Sequence, residues 1–109
     1  MKKLFVSCPM RGRGVEEIKA SIEKMHRIAE AVFGEELETI PSFVPENEGA
    51  NAVDCLGKSI QLMGMADYFI GISWKDVGEW SGCFIENNVA NRYEIPMYLV
   101  SLRVAMVEY

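Results

Sequence analysis

Apolar residues along this chain alternate between short continuous runs and longer stretches at helical spacing. The first short run, Leu4 to Val6, predicts a buried strand. From Val15 to Phe33, apolar residues recur every three or four positions, which is typical of one face of an amphipathic helix. Gly34 follows, and glycine readily ends a helix. The first part of the chain therefore predicts a strand, a loop and a helix.

The same alternation continues to residue 100. A strand followed by a helix favours a right-handed crossover, and repeated units of this kind build a parallel sheet with helices on both faces. We therefore predict an α/β fold, a small doubly wound parallel sheet of four to five strands, in a single domain over residues 1–109. The further elements are a strand over Leu37–Phe43, a helix over about Val53–Met65, a strand over Asp67–Ile72, a helix over Gly82–Tyr93 and a strand over Pro96–Val100.

The segment Ser101–Tyr109 leaves two interpretations open. Leu102, Val104 and Met106 alternate as in a strand. A partner could instead cover these side chains, because a soluble monomer rarely exposes an apolar tail. In both cases we expect all three to be largely covered. The apolar tail and the small size favour a homo-oligomer, a dimer or higher.

Composition narrows the classes of partner. The chain has 109 residues and half of them are hydrophobic, which suffices for one core without a disulfide or a metal. A net charge of −5 argues against nucleic acid as the main partner, although a local pair of arginines can still bind a small anion. No apolar stretch approaches the roughly 20 residues of a membrane span, so we expect no membrane partner.

The cysteine and histidine content indicates the cellular compartment and whether a metal ion is bound. The three cysteines have no Cys-x-x-Cys spacing and no signal peptide precedes them, which favours reduced thiols in the cytoplasm. His26 is the only histidine, so a closed zinc site is not expected. We expect neither a metal nor a cofactor.

One edge of the predicted sheet gathers the candidate chemistry, because ligands of doubly wound sheets bind at the carboxyl ends of the strands. The loops Ser7–Gly14, Phe43–Ala52 and Ser73–Ser81 all leave strands at that edge. The first holds two glycines and two arginines, Arg11 and Arg13. Glycine lets backbone N–H groups approach an anion, and arginine adds charge and paired donors. This loop predicts an anion site; the alternative is an ordinary loop with two solvated arginines.

Glu86 is the candidate catalytic group. It lies in the second turn of the helix predicted to start at Gly82. In a partly apolar pocket, a glutamate can attack a sugar carbon or stabilise an oxocarbenium ion. In the alternative interpretation, a glutamate near a helix start only complements the helix dipole. Spacing along the chain does not separate these two roles.

Four further side chains lie near the same edge. Trp74 and Trp80 flank the third loop and could stack on a base, but partly buried packing is the favoured interpretation. Cys8 and Cys83 are interpreted as small buried thiols. Neither is assigned as a nucleophile, because no histidine base lies near them in the sequence.

Taken together, three segments resemble the nucleoside 2-deoxyribosyltransferase-like superfamily, above all its small, often phage-associated members of unknown function. The resemblance covers Lys3 to Val100 and also extends to the branch that hydrolyses nucleoside monophosphates. It implies a flavodoxin-like sheet and cleavage or transfer at the N-glycosidic bond of a nucleoside or nucleotide. The matching segments are Lys3–Arg13, Ala66–Gly71 and Ser81–Ala90.

The resemblance also implies roles for individual residues. Glu86 matches the family's nucleophile. Phosphate binding is implied for Ser7, Arg11, Gly12 and Arg13 of the first loop and for Ser81. We add Met10 and Gly82, their neighbours in the same two segments, to the predicted substrate-binding residues.

Three positions depart from the family's pattern. Phe5 stands where the transferases carry a tyrosine, and Ser59 and Trp80 stand where aspartates are common. Departure of a base needs a proton donor. Two hypotheses follow: an enzyme with an incomplete catalytic set, or a binding module that senses a nucleotide without chemistry.

Overall fold

The computed structural model describes residues 1–41 and 52–106. Strands and helices alternate along these ranges, as the apolar pattern predicts. The strands are β1 (Lys2–Val6), β2 (Leu37–Thr39), β3 (Tyr68–Ile72) and β4 (Met97–Val100). The helices are α1 (Val15–Phe33), α2 (Ala52–Met63), α3 (Ser81–Arg92) and α4 (Leu102–Ala105), with a 3-10 turn over Val77–Glu79 between β3 and α3.

The four strands form one parallel sheet in the order β2-β1-β3-β4. In the centre of the sheet, Phe5 of β1 pairs with Phe69 of β3. Strand β2 is shorter than predicted. The strand ends at Thr39, although the amide of Ile40 still donates to the carbonyl of Leu4 at 2.9 Å. Positions 42 and 43 of the predicted strand lie outside the described residues. The predicted parallel α/β fold is confirmed.

Side chains alternate across the sheet and divide the core between its two faces. Leu4 and Val6 of β1 pack in one cluster with Met25 and Ala29 of α1. Ala105 of α4 joins the same cluster, so α1 and α4 cover that face. On the other face, a second cluster joins the sheet to α2 and α3; its buried members are Phe5, Phe69, Met63 and Ala90. Helices therefore lie on both faces, as predicted.

The interpretation of the C-terminal segment as a strand is wrong: Leu102–Ala105 forms a short helix. Two side chains cap its free amides. Asp76 accepts a hydrogen bond from the Leu102 amide at 3.0 Å, and Ser101 accepts one from the Val104 amide at 3.3 Å. Ala105 is the fully buried residue, whereas Val104 remains 38% exposed, so the chain itself does not cover Val104. Residues 107–109 lie outside the described ranges.

Helix α1 has the predicted bounds. It ends at Gly34, whose φ of 73° is in the left-handed region and whose amide donates to the Glu30 carbonyl at 2.9 Å. The other helix bounds differ from the predictions by one or two residues. Within residues 1–41 and 52–106, no helix combines the length and apolar character that crossing a membrane requires.

Gly71 lies within β3 at a position with no room for a side chain. A Cβ atom there would come 2.6 Å from Asn87 Oδ1 and 2.7 Å from the ring of Phe69. Asn87 belongs to α3, is wholly buried, and donates from Nδ2 to the carbonyl of Ile72 at 2.7 Å. The missing side chain at Gly71 therefore allows α3 to lie close against β3, which positions the residues of its first two turns.

We predict that Gly71→Ala lowers the free energy of unfolding by about 1–3 kcal/mol, because the added methyl group overpacks this contact. Urea denaturation measures the change. Gly57→Ala is the matched control: Gly57 lies on an exposed part of α2 with open space around it, so alanine should raise helix stability by up to about 1 kcal/mol. Unchanged stability of Gly71→Ala would contradict the close contact.

Candidate functional site

The strand order places the switch point of the sheet, the position at which doubly wound folds form their ligand crevice, between the carboxyl ends of β1 and β3. From these two central strands the chain continues to opposite faces, into α1 after β1 and into α3 after β3. The two strand ends are directly joined, since the amide of Ser7 donates to the carbonyl of Ile70 at 2.8 Å. Two of the three predicted edge loops, Ser7–Gly14 and Ser73–Ser81, leave the sheet here. The third, Phe43–Ala52, lies outside the described residues apart from Ala52, where α2 begins.

Glu86 points into this crevice. Glu86 is only 8% exposed, and Ser7 Oγ donates a hydrogen bond of 2.7 Å to Glu86 Oε1. Ser59 of α2 also hydrogen-bonds to the carboxyl group. The carboxyl group therefore lies where β1, α2 and α3 meet. The sequence does not decide whether the Glu86 side chain faces the site or the solvent. In the structure it faces inward.

Burial controls the charge of Glu86. Loss of contact with water raises the pKa of Glu86 to about 7, while the hydrogen bonds of Ser7 and Ser59 act in the opposite direction. No positive charge from the described part of the chain contributes to this balance. At neutral pH, both the carboxylate and the carboxylic acid are populated. Such a group can act as a nucleophile or exchange a proton.

Cys8 and Cys83 line the same region as buried thiols, as predicted. Burial and the neighbouring Glu86 raise the pKa of Cys83 to about 12. Burial also raises the pKa of Cys8, although Arg13 opposes that shift. Both thiols are protonated at neutral pH. Neither is an activated nucleophile.

Arg13 points inward from the first loop. Its guanidinium donates to the carbonyl of Pro9 at 2.7 Å and to Ser21 Oγ at 2.6 Å, and it lies 3.6 Å from the sulfur of Cys8. These contacts fasten the loop to α1. The guanidinium is already engaged by loop and helix, so the structure gives Arg13 a role in holding the loop.

Arg11 has different surroundings from Arg13. It is exposed, lies over the ring of Trp80 at 5.8 Å, and donates to the carbonyl of Glu79 at 3.3 Å. These contacts bridge the first loop to the segment just before α3. Of the two arginines, Arg11 is the one presented to solvent at the crevice.

Backbone groups surround the same opening. Gly12 adopts a φ of 75°, which a residue with a side chain rarely tolerates, and the turn is closed by the Arg13 amide donating to the Met10 carbonyl at 3.1 Å. Ser81 and Gly82 are exposed in the first turn of α3, and Trp80 provides no side-chain cap to the amides there. All the loop and helix-start residues named by the sequence prediction thus lie at this edge of the sheet.

The two tryptophans differ in position. Trp80 is partly buried beneath Arg11, in agreement with packing. Trp74 is 45% exposed and makes an edge-to-face contact with Phe84 at 6.4 Å between ring centroids. Two residues along a helix turn it by about 200°, so Phe84 and Glu86 lie on opposite flanks of α3. Trp74 is therefore separated from the carboxyl group by the helix itself.

Ser59 is the site residue whose contact the sequence did not predict. The sequence marks Ser59 only as a serine where the family that the chain resembles commonly carries an aspartate. Its hydrogen bond to Glu86 joins residues 27 positions apart on two different helices, so helical spacing does not predict it. A serine on the inner side of α2 is the available signal, but it is a weak one.

A separate depression lies near the end of β4, away from Glu86. It has a volume of about 640 Å³, is open to solvent, and is lined by Asp76, Ser101, Leu102, Arg103 and Met106. In the described part of the chain, no three histidine, cysteine, aspartate or glutamate side chains cluster as a metal ion would require.

Comparison with known proteins gave no match: no protein-family model, no curated protein and no solved structure matches the chain. The resemblance to the nucleoside 2-deoxyribosyltransferase-like superfamily therefore stays a prediction. It rests on the three segments quoted for it.

We predict that the raised pKa of Glu86 makes stability fall with pH. The pKa is about 7 in the folded chain against an ordinary value of 4.5, so the folded state binds more protons between these values. The free energy of unfolding should therefore decrease by about 3 kcal/mol as pH rises through this window. Glu86→Gln should remove the decrease and be more stable than wild type at about pH 8.

Urea denaturation at several pH values measures this effect. Glu16→Gln, at an exposed position of α1, is the matched control and should retain the wild-type pH dependence. Identical pH dependence in wild type and Glu86→Gln would show that Glu86 is ionised normally in the folded chain.

Proposed function

We propose that this protein cleaves or transfers the N-glycosidic bond of a nucleoside or nucleotide, with Glu86 as the nucleophile. The observation that carries the proposal is the buried carboxyl group of Glu86 in the crevice between β1 and β3, held there by Ser7 at 2.7 Å. Burying a carboxyl group costs free energy, and groups whose pKa is shifted by burial concentrate at functional sites. The position is also the one at which parallel α/β sheets bind ligands.

The first step needs an ionised carboxylate at the reacting carbon, and its rate depends on how readily the base leaves. Glu86 attacks the anomeric carbon, a C–O bond forms, and the C–N bond breaks with its electron pair going to the departing base. Positive charge that develops on the sugar is stabilised by the carboxylate in a site of low polarity. Water then displaces Glu86, which restores the carboxylate, and the proton that the water loses goes to the released base. In the transfer reaction a second base displaces Glu86 instead, and its N–H proton goes to the first base.

A 5′-phosphate or the ribose hydroxyls would bind at the rim. Arg11 offers an exposed guanidinium there, and the backbone amides of the Met10–Gly14 turn and of Ser81 and Gly82 offer further donors. The contacts of Arg13 with Pro9 and Ser21 support a role in shaping this rim more than direct contact with the ligand.

A binding module is the second candidate. The observation that favours it is Ser59: the side chain next to Glu86 is a hydroxyl, whose proton is far less acidic than that of a carboxylic acid. Without an acid for the departing base, turnover would be slow and confined to bases that leave with little protonation. A nucleotide would still bind.

The proposal also includes the cellular compartment of the protein and its assembly into oligomers. Buried, unpaired thiols at Cys8 and Cys83 support a reducing, cytoplasmic environment. The exposed aromatic pair Trp74 and Phe84 supports contact with a second copy of the chain.

We predict that wild type releases free base slowly from a panel of nucleosides and nucleoside monophosphates, measured by chromatography. Glu86→Ala should lower the rate by several orders of magnitude, because the nucleophile is lost. The wild-type rate should rise with pH through about 7, as the Glu86 carboxylate forms. The exposed-site variant Glu16→Ala should react at the wild-type rate.

Ligand affinity must be measured in parallel. Glu86→Ala should retain affinity for the monophosphate, since the phosphate donors lie on other residues. Bound ligand with no release of base above background, even from nucleosides with activated bases, would leave the binding module as the function.

A further prediction separates the two loop arginines. Arg11→Ala should weaken monophosphate binding about tenfold or more and nucleoside binding much less, as measured by calorimetry. Arg13→Ala should chiefly lower the free energy of unfolding, by about 1–3 kcal/mol, because it detaches the loop from α1. Arg27→Ala, an exposed arginine within α1, is the control for both measurements. Equal losses for the two ligands in Arg11→Ala would show that Arg11 does not read the phosphate.

A further inference from the structure

Ser7 occupies a more constrained position than its place in a loop implies. It follows the last residue of β1, is only 1% exposed, and its amide donates to the Ile70 carbonyl of β3 at 2.8 Å. The backbone of Ser7 is thus fixed between the two central strands. Its hydroxyl has little freedom and no contact with water.

The Ser7 hydroxyl is committed to Glu86. Ser7 Oγ donates a hydrogen bond of 2.7 Å to Glu86 Oε1, and this bond is buried. Burial and Glu86 raise the pKa of the nearby Cys83 thiol to about 12, while Ser7 opposes that shift. The sulfur therefore keeps its proton, and a protonated thiol is only a weak competitor for the Ser7 hydroxyl proton.

We propose that Ser7 is the positioning residue of Glu86: its buried hydroxyl fixes one carboxylate oxygen and sets how readily the carboxyl group ionises. The catalytic consequence rests on the proposed function, but the effect on Glu86 itself does not. This role differs from contact with a ligand phosphate, because the single hydroxyl proton of Ser7 is already donated to Glu86.

Few other groups could perform this role. Ser59 faces Glu86 from α2, Cys83 precedes it by one turn of α3, and Cys8 follows Ser7 in the first loop. Both thiols stay protonated, and no charged side chain in the described ranges acts on Glu86. The ionisation of Glu86 is therefore set by burial and by neutral hydrogen-bond donors, of which Ser7 is the most deeply buried.

The test is a pH titration of Glu86 by carbon NMR of the glutamate side-chain carboxyl groups, with the Glu86 signal assigned by its loss in Glu86→Gln. In Ser7→Ala, the carboxylate loses a donor, so the pKa of Glu86 should rise by about one unit or more. Ser7→Cys retains a weaker donor of similar size and should give a smaller rise in the same direction. Ser21→Ala removes another fully buried serine hydroxyl, in α1, and should leave the titration of Glu86 unchanged.

Loss of thermal stability in Ser7→Ala with an unchanged pKa of Glu86 would show that Ser7 is merely structural and would overturn the proposal. If Ser7→Ala does not fold, an unshifted pKa in Ser7→Cys overturns it equally. Where wild type releases base, Ser7→Ala should lower kcat more than it changes KM and move the pH profile upward. If the pKa of Glu86 shifts in Ser7→Ala but wild type releases no base, Ser7 positions Glu86 and the proposed function is wrong. The failure of one proposal can therefore be distinguished from the failure of the other.

Discussion

The hydrogen bond between Ser7 and the buried carboxyl group of Glu86 joins the parts of this structure on which the proposed chemistry depends. It links the end of a central strand to the second turn of α3, with Ser59 of α2 as a third contact. A carboxyl group in such a place resists ionisation, since burial penalises the charged form. The fold tolerates Glu86 because the acid form is available and because hydroxyl groups satisfy its oxygens.

Neighbouring residues maintain this arrangement through close packing of α3 on the sheet. Gly71 leaves space for Asn87, whose Nδ2 donates to the Ile72 carbonyl, while its Oδ1 accepts no hydrogen bond from the described residues. Such an unsatisfied buried oxygen costs stability. Both Glu86 and Asn87 therefore lower the stability of this helix start. Strained or costly polar groups of this kind concentrate at sites where a protein acts.

The local pattern of apolar residues in the sequence predicts much of the fold but only part of the candidate site. The run Leu4–Val6, the helical spacing of α1 and the stop at Gly34 depend on nearby residues, so the sequence predicts them well. The helix at Leu102–Ala105 depends on a cap from Asp76, 26 residues earlier, and the alternation of its side chains suggested a strand. Tertiary contacts overrule local pattern in such short segments.

The same reasoning applies to the side chains of the crevice. Topology predicts that Glu86 and the first loop share one edge of the sheet, but it does not tell a carboxyl group that faces inward from one that faces water. Likewise, Arg11 and Arg13 are equivalent in sequence, and only their surroundings separate an exposed cation from one fastened to Ser21. Distances across the fold decide these roles, and the hydrogen bond of Ser7 to Glu86 spans 79 positions.

The most direct test of Glu86 as nucleophile is covalent trapping by a nucleoside or nucleoside monophosphate whose sugar carries fluorine at the 2′ position. Fluorine there slows both formation and hydrolysis of a glycosyl–enzyme intermediate, because both transition states carry positive charge on the sugar. The nucleoside therefore also carries a base that leaves easily, so that formation outpaces hydrolysis and the intermediate accumulates. Mass spectrometry of the digested protein should find the fluorinated sugar on the peptide that contains Glu86, and Glu86→Gln should carry none. Release of base with the sugar attached to another residue, or with no adduct formed at all, would contradict the account.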